Sequence, residues 1–565
     1  MRLFAAIGLF FLSLALLVVG VAQRTVLAPP PSHLAAIEYD ASNPYILIPS
    51  SSMTAFPGEA TVSVSGAAKA FIATGRESDL RGWIGTANFT ELSVKQTGEK
   101  AVLVANPVLG TASYGNPAGS DLWRASVLED HTASLQVPNS DGDAVLIAAD
   151  GFGSAPNSIL VEWPIPYDLT TSNTLLIAGG VVLLAAFVMN IIAIRDYRKK
   201  RGPRRKVPKA PQGPKLRKRP NQVIAPRKGR RAARKVAVAV SLTLTAGLLT
   251  GCTPTTTATP TPTPTGDVVV DPPVVTQDQA ERILQDVSKV ANAADKAKNR
   301  DLLTPRFAGP AYDLRSTVYF LQGKDDKIAS PQPIVSKPIA LMLPAASSTW
   351  PRSFMAVTDQ PGDALPQLLV LTQDNPRTNY TVRFVIGLMP GAKIPNVPAA
   401  EQGSIPVASD SAYLKLQPLG IPVAYGDVID KGSASTFAGL FNVTKDKFYQ
   451  DISASQKAQI KKLTKGKIQF KHSLSSREVV CLSTNSGGAL VALYMRDTYT
   501  IRPVKSGSAV SVSGQEKLML GSAGSTTGIR TVYGNMMLFY VPAASDTDRV
   551  RLLGVTSGLI RVRAL

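Results

Sequence analysis

LLIAGGVVLLAAFVMNIIAIRDYRKKR, residues 175–201, decides how the rest of this chain is read. Residues 175–194 are apolar except for Asn190, which matches the ~20 residues an α-helix needs to cross a bilayer. Trp163 and Tyr167 precede the run and Tyr197 follows it, as amphipathic rings do at the headgroup level. Arg195, Arg198, Lys199, Lys200 and Arg201 come at once after it. Lys and Arg beside a span stay on the cytoplasmic side, so residues 24–174 are expected outside and residues 195–235 inside.

Toward the N-terminus, residues 3–22 form another apolar run, broken only by Ser13 and preceded by Arg2. It reads as a transmembrane anchor or uncleaved signal. The alternative is a removed signal peptide with Ala22 before the cut, but the run is longer than the typical h-region of ~7–15 residues.

Toward the C-terminus, residues 195–235 hold 19 Lys and Arg against one acid, Asp196, and so carry +18 of the net +21. The folded parts are nearly neutral, and the high charge is no argument that they bind nucleic acid. Residues 201–226 have too few apolar groups to bury a core and read as a disordered cytoplasmic segment. With Tyr197 as its one aromatic ring, the basic stretch has no interleaved rings on which bases could stack, so nucleic acid is not an expected partner. Contact with anionic lipid headgroups, at ~1 kcal/mol per basic residue near the surface, is the expected interaction.

A third, shorter apolar run follows at residues 236–251, directly after Arg230, Arg231, Arg234 and Lys235. It ends Leu249-Thr250-Gly251-Cys252, which resembles the lipobox of bacterial lipoproteins. The resemblance implies cleavage before Cys252 and a diacylglycerol on its sulfur; the alternative is a plain third span. Residues 253–273, TPTTTATPTPTPTGDVVVDPP, read as a polyproline II stalk.

Residues 36–168 show short apolar stretches at 61–64, 100–104, 144–148 and 159–161, separated by Gly, Pro, Asn and Asp. This predicts an all-β, sandwich-like extracytoplasmic domain. Asp141-Gly142-Asp143 reads as a turn, and Trp83 and Trp123 as core or half-buried packing. Residues 274–565 are α+β. Thr276 with Gln279 makes a capping-box pattern. Ala280, Ile283, Leu284, Val287, Val290, Ala291 and Ala294 follow at helical spacing. A second helix is expected near 309–319, then strands at 339–343, 354–357, 368–372 and 380–388. The order repeats, with helix over 436–463 and strands at 468–474, 489–501, 536–541, 550–555 and 559–563. Two tandem α+β units are expected, 274–430 and 431–565.

Helices followed by a curved antiparallel sheet resemble the NTF2-like (α+β cone) superfamily. Residues 302–315, LLTPRFAGPAYDLR, are similar to a stretch in actinobacterial cell-envelope membrane proteins and lipoproteins of unknown function. The resemblance implies tandem NTF2-like extracytoplasmic units and carries no catalytic motif.

Reactive side chains are sparse. Of three histidines, His33 is expected exposed and His131 in a turn. His472 shares a strand face with Ile468, Phe470 and Leu474, so His472 and Phe470 are the candidates for a possible pocket, with no carboxylate evident beside them. Cys481 lies in an apolar strand and reads as a small buried hydrophobe. No metal-ligand spacing, nucleophile elbow or phosphate loop is present, so no catalytic residue, metal or cofactor is assigned. The expected function is a membrane-anchored, non-catalytic binding or scaffolding module whose partners are envelope proteins or cell-wall polymers. The alternatives are a cell-wall- or lipid-acting enzyme or small-ligand binder with a cone pocket, and a signalling or secretion component.

Overall fold

A computed structural model describes residues 2–28, 32–39, 42–97, 100–111, 114–138, 142–165, 169–200, 271–362, 364–475, 478–505 and 507–565. Residues 201–270 lie outside the described residues, and with them most of the basic segment, the 236–251 run, Cys252 with its lipobox, and the Thr/Pro stretch to residue 270.

The elements begin with α1 (Arg2–Ala22), β1 (Ser32–Glu38), β2 (Tyr45–Ile48), α2 (Ser50–Met53), β3 (Ala60–Arg76) and α3 (Glu77–Ile84). Then come β4 (Phe89–Thr97), β5 (Lys100–Val108), β6 (Ala125–Val137), β7 (Asp143–Ala148), β8 (Ser158–Pro164) and α4 (Thr170–Lys200). The C-terminal part has α5 (Gln277–Ala297), α6 (Gly309–Gln322), β9 (Ile339–Pro344), β10 (Arg352–Thr358), β11 (Gln367–Gln373) and β12 (Thr381–Gly387). It ends with α7 (Ile421–Lys431), α8 (Lys447–Lys462), β13 (Gly466–Leu474), β14 (Val480–Ser483), β15 (Ala489–Pro503), β16 (Val510–Ser511), α9 (Gly514–Leu520), β17 (Gly524–Ser525), β18 (Ile529–Val541) and β19 (Arg551–Ala564).

These elements divide into two compact units. One joins Met1–Ala28 to Asp168–Val268, the other joins Pro29–Tyr167 to Val269–Leu565. In the first, α1 and α4 pack antiparallel. Gly20 meets Leu176 and Gly179 meets Leu17 so closely that an added Cβ would stand 2.9 Å from either leucine. Small residues of this kind let two apolar helices approach where no hydrophobic driving force separates helix from lipid. Both helices are long and apolar enough to cross a membrane, and only 17% and 11% of their most apolar windows are buried, the reverse of a core helix.

In the second unit the N-terminal part is one eight-stranded sheet with the path β1-β8-β3-β7-β2-β4-β5 and β6 on β3. The expected two-sheet sandwich is not what forms. The 17-residue β3 is the reason: it pairs with β8 through 61–65, with β7 through 71–76, and with β6 along both stretches. Its register against β6 breaks between Ser65 and Lys69, where His131 takes φ +64°. His131 is therefore in a strand irregularity and not a turn. The end strands β1 and β5 come beside one another, wrapping the sheet around a core that includes Ile46, Val62, Ile72, Leu92, Ile147 and Trp163. His33 is half-buried, stacked on Phe56 at 4.1 Å between ring centres. On the other face Tyr45, Phe71, Trp83 and Trp123 form a second cluster under α3.

The C-terminal part is α+β. The capping box at Thr276 is formed in both directions, with Gln279 N to Thr276 Oγ1 at 3.3 Å and Thr276 N to Gln279 Oε1 at 3.0 Å. α5 buries Ala280, Ile283, Leu284, Val287, Ala291 and Ala294 against the sheet ordered β12-β11-β10-β9. A second sheet, β13-β15-β18-β19 with β14 on β15, shares that core through Leu490, Tyr494, Met536 and Leu538. Its opposite face is covered by α7 and α8. The helix expected over 436–463 is shorter: α8 begins at Lys447, capped by Asp446, whose side chain accepts from Tyr449 N at 2.9 Å. α7 lies outside the sequence-predicted helices.

Candidate functional site

His472 projects from β13 onto the face covered by α7 and α8. Its cross-strand partner on β15 is Asp497, which places Nδ1 and Asp497 Oδ1 2.6 Å apart. Nε2 faces Asp430 Oδ1 of α7 at 3.1 Å, and Gln456 of α8 stands 3.3 Å away. Two carboxylates that sequence reading could not place therefore flank the ring, one across the ladder and one from a helix 42 residues upstream. Asp497 also accepts from Asn535 Nδ2 at 2.8 Å, and Asn535 Oδ1 accepts from Ser557 Oγ at 2.6 Å. A polar row thus runs across β13, β15, β18 and β19.

Burial by itself would disfavour the imidazolium. The hydrogen bonds and charges of Asp430 and Asp497 outweigh burial and push His472 up to about 9. At neutral pH the ring is a cation donating to both neighbours, with a side chain only 2% exposed. Such a group holds its proton at neutral pH. Gly426 brings α7 down onto the ring, for a Cβ there would overlap His472 Cβ. The chemistry is that of a clamp fastening α7 to the sheet. Phe470 stacks edge-on with Tyr499 at 5.1 Å. At His472 the strand face that was expected to line a pocket is occupied by α7.

Two cavities lie elsewhere in this part. One of about 260 Å³ is roofed by α6 and walled by Leu314, Val318, Leu321, Val385, Met536 and Leu559. Another, of about 320 Å³, is bordered by Arg383, Glu478 and Cys481. Arg383 bonds Asp374 at 2.5 Å and Glu478 at 3.1 Å. Burial pushes the Cys481 thiol up to about 12, so it stays protonated and inert at neutral pH. Among the described residues no group of three or more His, Cys, Asp or Glu side chains is placed to hold a metal ion.

The densest constellation is a seam between the N-terminal sheet and the C-terminal part, both within the second unit. Arg306, at the turn before α6, bonds Asp121 through both terminal nitrogens, at 2.5 and 3.1 Å, and Asp121 Oδ2 also accepts from Tyr380 N at 2.8 Å. Arg352 at the start of β10 reaches Asp79 of α3 at 2.8 Å, with Arg76 on the other oxygen at 3.2 Å. Side-chain exposures of 8% and 4% for the first pair and 0% and 4% for the second make both pairs fully desolvated. Arg377 donates to the carbonyls of Trp83 and Ile84 at 2.7 and 2.9 Å, satisfying the open C-terminal end of α3. Gln279, besides capping α5, donates to the carbonyls of Asp121 and Leu122 at 3.2 and 3.0 Å. Arg282 donates to the carbonyl of Trp123. In the other direction Arg76 donates to the Pro273 carbonyl at 2.9 Å.

A family described as a domain of unknown function (DUF8094) matches residues 271–564, just over half of the chain, and the chain belongs to that family. No curated protein matches the chain, and no solved structure does. The family's span begins two residues before Pro273, so the seam joins the family domain to a region that the match does not cover.

Proposed function

We propose that this is a membrane-anchored cell-envelope protein whose β region and family domain together form one extracytoplasmic, non-catalytic binding or scaffolding module. The observation that carries the reading is the seam. Regions that share buried ion pairs, Asp79–Arg352 and Asp121–Arg306, belong on the same side of a membrane. Between them in sequence stands α4, long and apolar enough to cross once and followed by a basic stretch. A chain that crosses at α4 must cross back before residue 271, and residues 236–251 are the apolar run that can do so. The return is either a third span or an exported signal cut before Cys252, with a lipid taking over the anchoring. The antiparallel packing of α1 on α4 favours an N-terminal run that stays in place.

The non-catalytic part of the reading is supported by the saturated state of His472 and the inert state of Cys481. We read the two helix-then-sheet units as NTF2-like, of the kind expected for actinobacterial envelope lipoproteins, and as presenting surfaces to an envelope protein or wall polymer. Ile405 and Tyr413, 66% and 87% exposed, are suitable positions for a photo-crosslinking side chain. Irradiating cells should give discrete adducts with an envelope component from at least one of these positions. A chain that stays unadducted at both, and at further exposed positions, contradicts the reading. A small-ligand reading is favoured by one observation, the apolar cavity under α6, and is tested by whether an apolar fluorescent probe is displaced when Val318→Trp fills it.

A further inference from the structure

We infer that the seam is a self-sufficient protein–protein interface: residues 271–565 dock on residues 32–165 as a separate chain would, and the covalent link between them is dispensable. None of the seam's groups comes from the link. They lie within residues 76–124 on one side and 273–380 on the other, whereas the link runs through α4 and residues 201–270.

The seam has the anatomy of an interface between partners. Its anchors are arginines and tryptophans, the residue types that dominate binding where they are desolvated at the centre of a contact. Trp350 packs into the β region's second cluster, where Gly82 leaves room for it: a Cβ on Gly82 would stand 3.1 Å from the Trp350 ring. Arg352 lies over the same ring at 3.7 Å. The hydrogen-bonding character is divided between the sides. The family domain supplies most of the donors, through Gln279, Arg282, Arg306, Arg377 and the Tyr380 amide, and Arg352 adds an ion pair with Asp79. The β region supplies two carboxylates and a set of backbone carbonyls. Asn379 fixes the register, accepting from Asp121 N and donating to the Gly119 carbonyl, each at 3.0 Å. Charges arranged this way select one partner and one orientation, since a wrong pairing leaves a buried ion alone. The family domain therefore carries a cationic face fitted to a β module that presents carboxylates and an open helix C-terminus. Cleavage before Cys252, raised above, would then leave a two-chain assembly in which the seam holds the C-terminal chain beside its membrane-spanning partner.

The test uses the full chain in detergent, with a site-specific protease sequence inserted between Thr265 and Gly266. The C-terminal fragment then has no apolar run of spanning length, so retention reports the seam and not the micelle. After complete cutting the two fragments are expected to co-elute in size exclusion at 0.15 M and at 0.5 M salt, because buried pairs are screened little. Asp121→Arg is expected to release the C-terminal fragment at least tenfold faster. Arg377→Ala is a milder variant for use if the first does not fold, and is expected to act in the same direction, with the uncut variant keeping its circular dichroism. Wild-type fragments that separate while each keeps its secondary structure would overturn the inference. So would variants that fold and release no faster than wild type.

Discussion

The seam and the histidine row are both buried and charged, yet they respond to different perturbations. In the seam the cations are guanidinium groups, whose planar forks pair with carboxylates and carbonyls. In the row the cation is an imidazolium, whose charge depends on the two carboxylates beside it. The seam joins residues 157 to 294 positions apart, while the row is built within one sheet and the helices on it. One contact fixes which parts of the chain belong together and the other fixes how a helix sits on a sheet. The first should fail on charge removal, the second on alkalinisation.

The largest effect is expected from Arg306→Ala. It leaves Asp121 buried without its bidentate partner, and breaking a buried pair from one side costs about 3–5 kcal/mol. The melting temperature should fall by several degrees, with a change no smaller than that of any surface Arg→Ala control. Second is the pH dependence of His472. Its folded-state value of about 9 lies above the ordinary 6.5, so the protonated ring stabilises the fold fully below about pH 6.5. That contribution is lost as pH rises and is gone above about 9, a change on the order of 3 kcal/mol. Chemical denaturation at pH 6 and pH 9.5 measures it, and His472→Gln should flatten the difference whatever it does to absolute stability. Third, Gly426→Ala forces α7 off the ring and should cost about 1–3 kcal/mol by overpacking. It should also lessen the pH dependence, because Asp430 moves with the helix. Smallest is Thr276→Ala, which removes the capping box for about 1 kcal/mol and should leave the pH profile unchanged.

Sequence made local features legible and hid the long-range ones. The α5 stripe from Ala280 to Ala294, its cap at Thr276, and strands such as β9 to β12 follow from period and residue type, and the structure has them. α7 escaped because Pro422 and Gly426 weaken its helical pattern, although Pro in the first turn suits a helix start and Gly426 makes room for His472. A sandwich was expected because only the first part of β3 alternates. Beyond Lys69 the strand is buried on both faces and reads as an undivided apolar run. The strand placement of His472 and Phe470 was visible, but Asp430 and Asp497 were not. Cross-strand register and helix docking are tertiary facts with no signature at either aspartate. The seam is the extreme case, since Asp79, Asp121, Arg306 and Arg352 look like ordinary surface charges until the fold buries them.

The most direct measurement is thiol labelling in intact cells, with Cys252 replaced by Ser and single cysteines placed in turn at Leu109 in the β region, Tyr413 in the family domain and Arg217 in the basic segment. Leu109 and Tyr413 are 88% and 87% exposed, so access depends on sidedness and not on burial. A membrane-impermeant maleimide should label positions 109 and 413 alike and label position 217 only after permeabilisation. Labelling that separates 109 from 413 would contradict a single module on one side of the membrane.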